Sequence, residues 1–155
     1  MTFEQLYRTY FPDVRRFALY LSGDAAEADD IAAETFVRAW AADAPLKARS
    51  LSAYLLSIAR NLHRHGHRSV RRLAAFRAEA PDEPPGLERE LAGRSELRAT
   101  LARLQILPEA DRAALLMRGF HDLPYEEIAA ALGISAAAAR VKVHRARATL
   151  NEHRS

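Results

Sequence analysis

Residues 79–95, EAPDEPPGLERELAGRS, set three prolines, two glycines and a cluster of acids between two stretches of helical apolar periodicity. Proline removes a backbone donor and glycine loosens the chain, so one continuous helical core cannot be threaded through such a segment. Two lobes are therefore expected, with a linker over 76–95 between them. At 155 residues the chain is long enough for two small domains and too short for a large core with inserted loops. Ala, Leu, Arg and Glu dominate while Val, Ile and Thr are sparse, so strong helix formers prevail over strand formers. The expected fold class is all-α: two small helical domains, over 1–75 and 96–155, joined by a flexible linker.

In the first lobe Leu6, Tyr7, Tyr10, Phe11, Val14, Phe17, Ala18 and Leu21 repeat at helical steps. Pro12 interrupts the stripe and is expected to kink or split that helix. Ser22-Gly23-Asp24 reads as a helix stop followed by a cap. The next helix, Ala25 to Ala41, is expected to turn Ile31, Phe36, Val37 and Trp40 inward and to show Asp29, Asp30, Glu34 and Arg38 on other faces. A third, from Leu51 through Tyr54, Leu55, Ile58 and Leu62, runs on into HRHGHRSVRR, and the lobe is expected to close around Trp40 and Tyr54.

Charge is unevenly spread. Residues 46–78 carry eight basic groups and no acid, and residues 135–155 carry five basic groups and one acid, within a chain whose net charge is only +3. Solvated helices usually interleave both signs. Two separate basic stretches point to a polyanionic partner such as nucleic acid.

Helices are expected near 96–105, 109–119, 125–132 and 136–151, and the last two form a helix-turn-helix. Ile128 and Leu132 are buried, Ala129 allows a close crossing, Gly133 takes a left-handed turn, Ile134 fills the space between the helices and Ser135 caps the second. On that second helix Ala139, Val143, Ala146 and Leu150 form the buried stripe. At 100° per residue the opposite face carries Ala137, Val141, His144 and Ala148, flanked by Arg140 and Arg145, whose side chains can reach guanine edges or phosphates.

Other chemistries find little support. There is no cysteine, hence no disulfide or thiolate metal site. No apolar run approaches the length of a membrane span, and MTFEQLYRTY lacks the layout of a secretion signal, so a cytoplasmic protein without membrane insertion is expected. His63, His65 and His67 suggest a metal site, but Gly66 weakens the helix there and Arg64 and Arg68 repel a cation. Without a phosphate loop, serine elbow or cysteine nucleophile, no catalytic residue, metal or cofactor is expected. Glu126 and Glu127 read as first-turn acids favoured by the helix dipole.

FEQLYRTYFPDVRRFAL, DAAEADDIAAETFVRAW and SLSAYLLSIARNLHRHGHRSVRR in the first lobe resemble region two of the extracytoplasmic-function sigma factors. LPEADRAALLMRGFHDLPYEEIAAALGIS followed by RVKVHRARATL resembles region four. The resemblance implies a protein that binds core RNA polymerase and directs it to promoter DNA under restraint by an anti-sigma factor. It implies polymerase contact through Asp29, Asp30 and Glu34, and −10 DNA contact through Lys47, Arg49, Ser50, Arg60, Asn61 and Arg64, with Tyr54 nearer a core role. For the −35 element it implies Arg140, Val141 and Arg145, beside Ala137 and His144 on the same face. Pro124 stands where that family has a capping Ser. The alternative is a helix-turn-helix regulator that does not bind polymerase; it leaves the basic run at 46–78 without a role.

Overall fold

The computed structural model describes residues 2–42, 51–66 and 87–153, the side chains of 87–94 excepted. Among the described residues there are seven α-helices and no strand.

α1 (Phe3–Ser22) opens on a capping box: Thr2 Oγ1 accepts from the Gln5 backbone N–H, and Gln5 Oε1 accepts from the Thr2 N–H. The helix runs unbroken through Pro12, contrary to a split there. Pro12 and Arg8 are both exposed, so the Arg8 carbonyl that loses its helical donor lies on the solvent side. Gly23 ends the helix in the left-handed region at φ 75°, and Asp24 caps α2 (Ala25–Ala41) by accepting from the Glu27 N–H. α3 (Leu51–His65) completes the first lobe.

Phe17, Leu21, Ile31, Phe36, Leu51, Leu55 and Leu56 are all but sealed from solvent and form its core. Each contributes about 1.5–3 kcal/mol of burial. Trp40 and Val37 do not join them. Trp40 is 46% exposed and Val37 56%, with the Trp40 ring lying edge-on to Phe3 at 5.6 Å. The expected inward Trp40 and Val37 are thus corrected: at 100° per residue both fall on the side of Ala33 and Asp30, away from Ile31, Thr35 and Ala39. Tyr54 is half-buried rather than central.

The second lobe holds α4 (Leu87–Gln105), α5 (Glu109–Gly119), α6 (Tyr125–Leu132) and α7 (Ala136–Glu152). α4 begins inside the segment read as linker. The last proline of that segment is Pro85, and beyond it Leu, Glu and Arg restore helix propensity; residues 76–86 lie outside the described residues. Leu104, Leu107, Leu116, Met117, Ile128 and Val143 make the core.

The two lobes pack on one another. The Phe17 ring meets His121 at 5.8 Å, Tyr20 meets Phe120 at 4.9 Å, and the Arg16 guanidinium lies 4.2 Å over the Phe120 ring. Gln105 Nε2 donates to the carbonyls of Tyr20 and Leu21 at 3.4 and 3.3 Å. Glycine suits position 23 through its left-handed φ, and a Cβ on Gly23 would stand 3.0 Å from that same Nε2, which would have to shift by a few tenths of an ångström.

Candidate nucleic-acid interface

The helix-turn-helix is built as the residue pattern requires. Gly133 takes φ 69°, ψ 37° and its N–H returns to Ala129 O, while Ser135 Oγ accepts from the Ala138 N–H at 3.0 Å. Pro124 supplies no side-chain cap to α6; Glu126 and Glu127 occupy its first turn. Ala139, Val143 and Ala146 are fully buried and Leu150 partly so. Ala137, Arg140, Val141 and His144 are exposed together on the opposite face, with Val141 58% exposed.

Two features of this face were not legible in the chain. The Arg140 guanidinium lies 4.9 Å from the Tyr125 ring centroid and that of Arg118 lies 4.6 Å from it, so one aromatic ring on α6 orients a cation on α7. Arg145 donates from Nε and Nη2 to Asp111 at 2.7 and 2.8 Å, and Lys142 Nζ stands 3.7 Å from the same carboxylate. Asp111 is almost wholly buried, and the Arg145 hydrogen bonds hold its carboxyl below the ordinary range against the opposing effect of burial. Asp111 lies 34 residues from Arg145 in the chain, and no local pattern links them.

In the first lobe Asn61 and Arg64 are exposed on α3. Arg60 is not: it is 5% exposed and forms a two-bond pair with Glu109 of α5, Nε–Oε1 2.9 Å and Nη2–Oε2 2.8 Å. Lys47, Arg49, Ser50 and His67 lie outside the described residues. His63 Nδ1 is 3.0 Å from Glu27 Oε1, and among the described residues no group of three His, Asp or Glu side chains gathers in a metal-binding arrangement.

Asp29 and Glu34 are exposed on α2, and Asp30 is half-buried. Asp29 pairs with Arg15 at 2.7 Å and Glu34 with Arg38 at 3.1 Å. Ala33, Val37 and Trp40 lie exposed on the same helix, making an apolar strip with an acidic border. Helical-wheel arithmetic applied to Val37 and Trp40 finds this strip; hydrophobicity alone assigns both residues to the core.

Comparison with known proteins gives this arrangement its class. Residues 6–73 match the family model for Sigma-70 region 2, and residues 97–150 that for Sigma-70, region 4. The chain is 36% identical to the ECF RNA polymerase sigma factor EcfG of Rhodopseudomonas palustris, over 90% of this chain and 78% of that protein. It is 32% identical to the ECF RNA polymerase sigma factor SigE of Mycolicibacterium smegmatis, over 98% of this chain but only 61% of SigE. The sigma factor RpoE, solved in complex with the anti-sigma factor NepR from Bartonella quintana, superposes with TM-score 0.74 at 27% identity, covering 97% of this chain and 94% of RpoE. CnrH, solved with the cytosolic domain of CnrY, gives TM-score 0.70 at 26% identity, covering 97% and 85%.

The chain belongs to the ECF sigma factors of RNA polymerase. Sigma factors are the subunits that bring core polymerase to promoters, and the match over residues 6–73 to Sigma-70 region 2 favours this class over a stand-alone helix-turn-helix regulator. Among the described residues no helix is long and apolar enough to cross a membrane.

Proposed function

We propose that the first lobe seats on core polymerase through the outer face of α2 and holds the −10 strand along α3, while α7 reads the −35 duplex. The division proposed keeps 1–75 as the first lobe and shortens the linker expected over 76–95 to 76–86, since α4 of the second lobe starts at Leu87. The observation that carries this reading is the acid-free outward face of α7, with Ala137, Arg140, Val141 and His144 exposed together behind a left-handed Gly133 turn. Small Ala137 permits close approach, and Arg and His supply donors for base edges and phosphates.

Arg140 and Arg145 of α7 take different roles. Arg140, aimed by Tyr125, is the base-reading arm. Arg145 spends its Nε donor and one Nη2 donor on Asp111, which fixes the orientation of its guanidinium, and it acts with Lys142 as a phosphate clamp that Asp111 positions. On α2, Val37 and Trp40 form the apolar centre of the polymerase contact, and Asp29, Asp30 and Glu34 its acidic rim.

On the first lobe Lys47, Arg49, Ser50, Arg60, Asn61 and Arg64 hold the non-template strand through phosphates and unstacked bases. The chain performs no chemistry of its own and works in the cytoplasm, where polymerase and promoter meet. The similarity to RpoE and CnrH, each solved with a partner, supports control by an anti-sigma protein.

Adding the purified chain to core polymerase and mapping transcript 5′ ends over a genomic template tests the reading. Start sites sharing two spaced elements are expected. Start sites unchanged from core enzyme alone would overturn it.

A further inference from the structure

The face of α3 that carries Arg60 is covered by the second lobe. Ala53, Tyr54 and Ser57 of α3 look across a crevice of about 230 Å³ at Glu127, Ala130 and Ala131 of α6. Beyond that crevice Arg60 is sealed by Glu109, whose carboxylate takes two guanidinium donors, as a DNA phosphate would. The outward face of α7 has no such cover: Ala137, Arg140, Val141 and His144 all remain exposed.

We infer that the free chain closes on itself asymmetrically, Glu109 occupying Arg60 in place of a strand phosphate, so that the Arg60 contact of the −10 face is blocked, although Asn61 and Arg64 beside it are exposed, while the −35 face stays open. The inference rests on the assignment of α3 and α7 made above and adds their regulation. Its physical basis is that a nearly buried guanidinium needs a counter-charge: removing Glu109 leaves Arg60 uncompensated unless the lobes part and water reaches it. Beyond the pair, the junction includes ring contacts, the Gln105 hydrogen bonds and the packing of α1 and α3 on α4, α5 and α6, all of which a competing surface must replace. Core polymerase opens the lock by holding the two lobes apart. Until then the apparent affinity for single strands is reduced by the fraction of chains that are open.

The test uses the full chain. It has no cysteine, so Arg8→Cys and Glu152→Cys on α1 and α7 give two sites for an energy-transfer pair. Glu109→Gln should lower transfer and raise affinity for a random-sequence single-stranded DNA pool by about tenfold, while affinity for random duplex changes less than about twofold. The swap Arg60→Glu with Glu109→Arg should restore transfer. Transfer unchanged by Glu109→Gln, or not restored by the swap, overturns the lock. Transfer that falls and is restored, with no gain in single-strand binding, leaves the lock standing and overturns the assignment of α3 to the −10 strand.

Discussion

Asp111 and Arg145 form a pair of unequal members: the carboxylate is 1% exposed and the guanidinium 55%, joined by hydrogen bonds of 2.7 and 2.8 Å. A buried acid in the first turn of α5 thus fixes a surface cation on the DNA-facing helix. The acid is specified by its surroundings in the fold, and the cation is available to a phosphate.

Asp111→Asn should loosen Arg145 and Lys142 together. Binding to a −35 duplex falls by several-fold at every sequence tested, and the salt dependence becomes shallower by about one counterion. Fluorescence anisotropy across a salt series measures both. The carboxyl is held below its ordinary range, so the stabilisation it brings is complete above that range and disappears as pH falls through the lowered folded value. At neutral pH the variant should therefore melt about 3 °C lower than the parent chain, and the gap should close in acid.

Arg140→Ala should change which sequences are selected. Loss of one base-reading arm costs about 1–3 kcal/mol at its own base pair and relaxes preference there, leaving other positions unaltered. Selection from a randomised −35 duplex by reconstituted holoenzyme reads this directly. Tyr125→Leu should give a weaker version of the same relaxation, because it removes the ring that aims Arg140.

Val37→Asp should weaken association with core polymerase by at least tenfold. It should leave the melting temperature nearly unchanged, because Val37 is 56% exposed and makes no part of the core. Pull-down with core enzyme and a thermal melt of the isolated chain separate the two effects. Loss of stability equal to loss of binding would show that α2 packs differently in solution.

Acid should favour separation of the lobes. His121 is half-buried against Phe17 of α1, and its buried Nε2 has no hydrogen-bond partner among the described residues. Burial lowers its pKa first of all, with Asp13 opposing and Arg16 adding to the effect. In the closed chain the charged ring is disfavoured. In the open chain it regains the ordinary value of about 6.5 and binds a proton more readily. Closure is therefore full above that value and weakens as pH falls below it towards the lowered one. Energy transfer between α1 and α7 should drop over that interval, and His121→Gln should flatten the response.

Much of this was legible in the chain because it depends on neighbours in sequence. The Gly23 and Gly133 turns, the Asp24 and Ser135 caps and the buried stripe of α7 follow from local backbone geometry and a period of 3.6 residues. The exposed set Ala137, Arg140, Val141 and His144 follows from the same period. At Pro12 the expected split does not occur, because the carbonyl it frees lies on the solvent side and most of the stripe is buried against the lobe, and burial is not a local property. Trp40 and Val37 misled because hydrophobicity was weighed ahead of helical phase.

What the chain by itself determined, then, is the set of helices, their ends apart from the start of α4, and the outward face of α7. Only the tertiary structure decided the pairing of charges: Arg60 with Glu109, Arg145 with Asp111, and Arg140 beside Tyr125. The physical reason is range. Backbone geometry and amphipathic period act over a few residues, whereas a guanidinium takes the nearest carboxylate or ring in space. Which one that is depends on how the helices cross.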